Sequence, residues 1–521
     1  MEQFTMPAFG ETSFFKNREN ETAEVVLIEG ADEAALARYT EYACACGFCE
    51  KERRAAIGHT FVAFGGEGQA LFLNYFEHTH ELSLVLEQRT AYFEFAAPCG
   101  ERIVSPQITQ VMLEDYGMSY VIRLSDGRFI VIDGGREFEP DATRLYQCLK
   151  KTSPDETPVI AAWILSHPHS DHFHCFIKFV ELYGAKVRLE RVLYNFPSHD
   201  DVVHYPKLKA EEQFIKHASP FDNIPLMQAC VTQMGAATYM PHTGQIYQIG
   251  DATCEILATL GDTVHASDNI NATSLVIRME LGGQVILWTT DASFSIAKLP
   301  QRYGAYLKAD ILQIPHHGFQ SGTAAGEIAG YDLIAPTVCF LPVSDYHAYT
   351  SFCTYREGTA HIMQKPTVEE IITGDKQRTV MLPYRPLPDA RVALERAFRI
   401  GRDQSGALCW IFSDLNTASA EDLTFTLLNT TYLPAKVRID LYFEDKSENV
   451  ECMIATLPGR SLKTVSLMGG GVETETRFYN PASRDHRGIP ENKPFAVRLL
   501  SDLPIVVTNQ NHKADYISSN T

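Results

Sequence analysis

The order of apolar and polar positions divides the chain into three textures. In the first, residues 22–28 (TAEVVLI) read as a strand and 31–46 as a helix ending near Gly47. Three further β-like runs follow at 58–65, 69–77 and 80–87, making a small α/β unit. From about 106 the pattern becomes strand, turn, strand: QVMLEDYG, SYVIRLSDG and RFIVIDGG, punctuated by glycine or Asp-Gly. A helix is expected at 139–151, then an apolar strand, VIAAWIL (159–165), that runs straight into SHPHSDH. Later strands are expected at 191–195, 253–258, 273–279, 284–289, 310–314 and 337–342, with helices near 206–217 and 354–364. Strand-rich blocks with interleaved helices predict a layered α/β sandwich.

A third texture begins near 400. ALCWIFSD, LTFTLLN, AKVRIDLYFED, NVECMIATLP, SLKTVSL, PFAVRLLS and LPIVVTNQ are short strands with frequent turns, the pattern of a β-sandwich. The segment 384–398, with two prolines and a short helical run, reads as the linker before it. The expected organisation is an α/β multi-domain chain: a small α/β unit (1–105), a central αββα sandwich (106–385) and an all-β sandwich (396–516). A length of 521 residues agrees, because one hydrophobic core does not grow that large.

Composition narrows the function. With 45% hydrophobic and 21% charged residues the chain is ordinary globular protein. A formal net charge of -20 excludes a general electrostatic grip on nucleic acid, which needs clustered Lys and Arg. Nucleic acid remains admissible only as a substrate, since divalent cations in a pocket would dominate the local field. No apolar run approaches the roughly 20 residues that cross a bilayer, and MEQFTMPAFGETSFF lacks the basic and apolar regions of a signal peptide. Twelve scattered cysteines read as reduced thiols, so a cytoplasmic location is expected. Cys44, Cys46 and Cys49 form a C-x-C-x-x-C run, but at a helix end cysteine mostly serves as a small apolar residue.

The chemistry is concentrated in His167-Pro168-His169-Ser170-Asp171-His172, four ligand-type side chains in six residues at the end of a buried strand. His167 and His169, two apart, face one side of an extended segment, and Asp171 and His172 then turn toward a second site close by. Imidazole nitrogen with carboxylate oxygen suits Zn, and also Mn or Fe.

This run resembles the HxHxDH motif of the metallo-β-lactamase superfamily, and other landmarks fall in that family's order over roughly 106–385. Asp133-Gly134-Gly135 closes an upstream strand, and the resemblance implies that Asp133 orients a metal-bound histidine rather than binding metal. NATSLVIRMELGGQVILWTTDAS places Asp291 where the family has its metal-bridging aspartate. ADILQIPHHG presents His316 and His317, similar to the HHG signature of the subgroup containing competence-protein hydrolase domains and phosphorylcholine esterases. His317 is taken as the ligand and His316 as a substrate contact, although spacing alone does not order them. A third histidine for the first site is sought in His265, with His242 as runner-up. Departures are Phe173, His174 and Cys175, where many relatives have small glycines, and Thr290, where competence-type domains have glycine.

What the resemblance implies is a hydrolase with two divalent ions that uses a metal-bound hydroxide, with no Ser or Cys nucleophile. In it Asp171 orients the hydroxide or takes its proton, and His316 stabilises developing charge or protonates the leaving group. The HHG subgroup favours a phosphodiester or other phosphoester. A lactone or cyclic amide is the alternative substrate, and a metal- or ligand-binding sensor without turnover is the alternative class. Residues 400–515, through LN, YFED, PGR and SDLPIVV, resemble the small sensory rhodopsin transducer β-sandwich family. That likeness implies association or ligand binding, including homo-oligomers.

Overall fold

The computed structural model describes residues 13–19, 23–115, 117–197, 220–263, 269–320, 322–345, 347–402, 408–467, 478–480, 485–486, 489–512 and 515–517. They form two compact units, one of residues 1–340 with 377–385, the other of 341–376 with 386–521.

In the first unit an antiparallel sheet runs Ser13–Glu19, Ala23–Glu29, Glu81–Glu87, Ala70–Phe76, His59–Gly65, Cys49–Ala56. Its central strands, ALFLNYF and ELSLVLE, are buried on both faces. One face packs on helix Glu33–Ala45, where Leu36, Tyr39 and Ala43 meet Leu71, Leu73 and Leu84. Asp32 starts that helix by accepting from the Ala35 amide at 2.8 Å. The edge strand Cys49–Ala56 (CEKERRAA) was not expected from the sequence. Its alternating charges blunt an otherwise open sheet edge and conceal the strand pattern.

Two further sheets face each other. The first runs Ala237–Tyr239, Arg191–Tyr194, Val159–Leu165, Phe129–Asp133, Ser119–Arg123, Gln107–Gln110, Arg378–Met381, parallel as far as Phe129–Asp133 and antiparallel beyond. The second runs Val338–Leu341, Ile311–Gln313, Gln284–Trp288, Val276–Leu281, Ala252–Ala258, Ile246–Gly250, with the first three parallel. Between them Tyr120 stands 4.8 Å from Trp288 and 5.4 Å from Phe340, ring centre to ring centre. On the outer face of the first sheet, Phe129, Val131 and Trp163 bury Leu145, Phe176 and Phe179 of helices Glu139–Thr152 and Ser170–Tyr183. The strand expected to start at 273 begins at Val276 instead, because residues 270–273 form a turn capped by Asn269. The helix expected at 206–217 lies outside the described residues.

The architecture decides where chemistry can sit. Phe129–Asp133 and Val159–Leu165 are parallel neighbours, with Ile132 opposite Ile164, so their carboxyl ends emerge together. Gln284–Trp288 and Ile311–Gln313 do the same, with Trp288 opposite Gln313. Loops leaving the carboxyl ends of parallel strands are where open α/β sheets bind ligands.

The second unit is built on two β-sheets. Phe425, Leu427 and Val507 of one share a core with Val437, Ile439 and Leu441 of the other. Phe412 and Phe425 meet across it with ring centres 5.3 Å apart. The short helical run expected within 384–398 is helix Ala390–Gly401, which buries Leu394, Ala397 and Phe398. Among the described residues no helix is long and apolar enough to cross a membrane.

Candidate metal centre

Strand FIVID ends at Asp133, whose backbone turns left-handed (φ 53°) before Gly134 and Gly135. Its carboxylate meets the next strand's end: Ser166 donates its amide to Oδ1 and its hydroxyl to Oδ2, both at 2.7 Å. His172 donates Nδ1–H to the same Oδ2 at 2.7 Å. Asp133 therefore fixes the ring of His172 with Nε2 pointing the other way.

His169 immediately precedes helix Ser170–Tyr183, whose first turn holds Asp171 and His172. The close approach of this helix to the Gly134-Gly135 turn is sealed by the Cys175 amide on the Gly135 carbonyl at 2.8 Å. A side chain at Gly135 (φ 94°) would strain the backbone there.

From the second sheet, Asp291 follows Gln284–Trp288 through Thr289 and Thr290. Thr290 takes a left-handed conformation (φ 48°), which ordinarily favours glycine. The threonine is held in it by other bonds. Its hydroxyl donates to the Leu275 carbonyl at 2.9 Å, and the buried Gln313 amide grips the turn from the neighbouring strand. Gln313 Oε1 accepts from the Thr289 and Thr290 amides, at 3.1 and 2.5 Å, while Nε2 donates to the Thr290 carbonyl at 3.2 Å. His316 and His317 follow in a tight turn at φ 48° and 52°.

These loops converge. Asp291 Oδ2 lies 3.2 Å from Nε2 of His172, 3.4 Å from that of His317, 3.8 Å from that of His167 and 4.0 Å from that of His316. Asp171 Oδ2 is 3.5 Å from Nε2 of His317 and 4.0 Å from that of His172. The rings of His167 and His169 stand 4.8 Å apart, centre to centre. Two ligand groups result, His167–His172–Asp291 and Asp171–His172–His317. Of the residues singled out in sequence, Asp133, His167, His169, Asp171, His172, Asp291, His316 and His317 gather here. His265 lies outside the described residues. His242 is elsewhere, its ring against Phe72 and 3.6 Å from Glu87. His174 is buried between Glu137 and Asn223, each at 2.9 Å. Cys44, Cys46 and Cys49 are exposed free thiols, none of them in either ligand group.

Residues 113–324 match the family model described as the metallo-beta-lactamase superfamily. The chain carries a metallo-beta-lactamase superfamily domain. No curated protein matches the chain. Among solved structures, the Anabaena sensory rhodopsin transducer is 28% identical over 20% of this chain and 96% of its own, with TM-score 0.16. Human tRNase Z, short form, is 12% identical over 45% of this chain and 91% of its own, with TM-score 0.26. The flavodiiron protein from Giardia intestinalis is 11% identical over 58% of this chain and 60% of its own, with TM-score 0.23.

The donor set of this domain fits divalent cations. Nε2 of His172 and Nε2 of His317 face each other at 3.1 Å, and carboxylate oxygens from two separate loops lie beside them. Buried imidazoles and carboxylates converging in this way are a ligand set for Zn and similar ions. Electrostatics agree. Burial disfavours the charged form of Asp291, yet the facing His172 and His317 hold its carboxyl well below the usual range. Burial likewise opposes charge on His172, but Asp291, Asp133 and Asp171 raise it well above an ordinary imidazole. His317 is raised to about 9 against its burial, by Asp291 and Asp171. Burial pushes His167 the other way, well down.

At neutral pH the metal-free centre therefore holds a proton between the facing Nε2 atoms of His172 and His317, 3.1 Å apart, where cations need lone pairs. Cation binding must expel it, so apparent affinity should rise with pH until His317 deprotonates near about 9. Calorimetric zinc titrations in buffers of differing ionisation enthalpy should read roughly one or more protons released per protein at neutral pH. An affinity independent of pH, with no proton release, would contradict this.

Two contributors to this geometry escaped the sequence reading, Gln313 and the Ser166 hydroxyl. Gln313 carried a signal: a lone amide in the apolar run before the histidine pair. Gln313→Leu unlatches the Thr289–Thr290 turn and should cost roughly 10–100-fold in metal affinity, as expected for a residue that only orients a ligand. Metal titration of the folded variant checks it, and an unchanged affinity would remove Gln313 from the centre.

Proposed function

We propose that this protein is a dinuclear metal-dependent hydrolase, with zinc as its metal and a phosphodiester or other phosphoester as its substrate. One observation carries the reading: a single carboxylate oxygen of Asp291 stands within 4.0 Å of four imidazole nitrogens from two different loops. His167, His169, His172, His317, Asp171 and Asp291 would hold the ions. Bound there, two divalent ions would supply a water of lowered pKa and a Lewis acid for the oxygen under attack.

The chain's own residues would do the rest. Asp133 keeps His172 in one tautomer with its lone pair turned inward. The Asp171 side chain is 19% exposed, so it can reach solvent, orient the attacking water and accept its proton. The His316 side chain is 25% exposed beside Asp291, placed to contact the substrate while its Nε2 faces the Asn271 amide at 3.0 Å. The phosphoester preference comes from the HHG sequence around His316 and His317.

Metal analysis with a substrate panel tests this. Two ions per chain, turnover of bis-p-nitrophenyl phosphate, and loss and recovery of activity with chelator and zinc are the expected results. Turnover of lactones without phosphoesters would overturn the substrate class. One ion or none, with no turnover across phosphoesters, lactones and β-lactams, would leave a binding protein instead.

A further inference from the structure

Ser166, the residue before His167, fixes which nitrogen of that imidazole carries the proton. The Ser166 hydroxyl has one proton, which it gives to Asp133 Oδ2 at 2.7 Å. His167 Nδ1 lies 3.0 Å from the same hydroxyl oxygen and must therefore donate to it. Its proton is then on Nδ1 and its lone pair on Nε2.

That lone pair faces Asn271 Oδ1 at 3.1 Å and Asp291 Oδ2 at 3.8 Å. His167, Asn271 and Asp291 are all buried, at 0%, 7% and 2% exposure. Three acceptors converging in a dry site repel one another unless a cation lies among them. The other end of the amide supports this orientation, because Asn271 Nδ2 donates to His316 Nε2 at 3.0 Å. The backbone holds Asn271 in place. The Ser274 amide donates to the Asn271 carbonyl, and the Leu275 amide to the carbonyl of Ser166, each at 3.1 Å, stitching this turn to the residue before His167.

We infer that the Asn271 side-chain oxygen is a protein ligand of the ion held by His167, in the position where a third histidine was sought. The amide nitrogen of Asn271 ties that ion's ligands to His316. The inference rests on the metal-centre reading and goes beyond it in naming the ligand.

The test compares the full-length protein with Asn271→Ala, Asn271→Asp, Asn271→His and His265→Ala. Metal content and the visible spectrum of the cobalt(II)-substituted protein are read independently of activity. Asn271→Ala should lose one of two ions, with a fall in affinity beyond the roughly 10–100-fold typical of residues that merely orient a ligand. Asn271→Asp and Asn271→His should keep both ions with shifted cobalt bands, and His265→Ala should match wild type. The inference is overturned if Asn271→Ala keeps both ions and the wild-type spectrum, the result expected if the amide is reversed and only hydrogen-bonds the two histidines. Loss of an ion in His265→Ala instead would overturn it too. A wild-type protein binding no metal at all would remove the underlying reading.

Discussion

Asp291→Ala should empty the centre of both ions and lower turnover by at least on the order of 10³-fold, a small part of what enzymes typically supply. The size of the effect follows from position. Asp291 is the carboxylate on which imidazoles of both loops converge, 3.2 Å from His172 and 3.4 Å from His317, and it is almost wholly buried. Without it, cations among these imidazoles lose their closest negative charge in a region where water cannot replace it. The metal-free protein changes as well. Asp291 is the foremost charge raising His172 and His317, so both should deprotonate at lower pH in the variant. Metal content and turnover on the same preparation give the result, with circular dichroism to confirm the fold. Retention of two ions and more than a small fraction of activity would show that Asp291 does not bridge them.

The largest effect on stability should come from Arg302→Met. Arg302 is fully buried between two acidic groups, with Nε on Glu81 at 2.9 Å and Nη1 on Asp262 at 2.8 Å, and its guanidinium lies over Phe76. Methionine fills much of the volume but leaves two buried carboxylates, of which, among the described residues, only Glu81 keeps a cation, Lys298, at 2.5 Å. Removing one partner of such a cluster costs about 3–5 kcal/mol. For a unit of this size that lowers Tm on the order of 10 °C. Adding Glu81→Gln and Asp262→Asn to Arg302→Met should recover much of the loss, because the penalty lies in the stranded charges. The acid limb gives a second check. Burial opposes the charge on Glu81, but Arg302 and Lys298 bring it down from 4.5 to about 2. Its contribution is complete above about 4.5 and declines as pH falls toward about 2, and that decline should flatten in Arg302→Met. A variant as stable as wild type would show that packing alone holds this region.

Much of the centre was legible in the sequence because its residues are clustered. The run from His167 to His172 is local, and a buried apolar strand before it says that it emerges at a strand end. Asp133, Asp291 and the 316–317 pair could be read for the same reason, each following a strand with a turn. What could not be read is pairing across distance. The salt bridge from Glu81 to Arg302 spans 221 positions, and nothing in either neighbourhood announces the other. Nothing beside Asn271 in the sequence marks it, and asparagine is common in turns for reasons unrelated to metal. Ser166 carries no signal of its own in the sequence, and its place is between Asp133 and His167. Thr290 looked like an obstacle because the latch that accommodates it, Gln313, lies on a neighbouring strand. At fold level, strands with apolar alternation were visible, while the charged edge strand Cys49–Ala56 was not.

The most direct measurement is anomalous diffraction at the zinc edge from crystals of the full-length protein grown with zinc. Two peaks are expected on either side of Asp291, one within bonding distance of His167 and the other of His317. No peak in that pocket, or zinc bound only at surface carboxylates, would contradict the idea that these distant segments fold together to share a pair of cations.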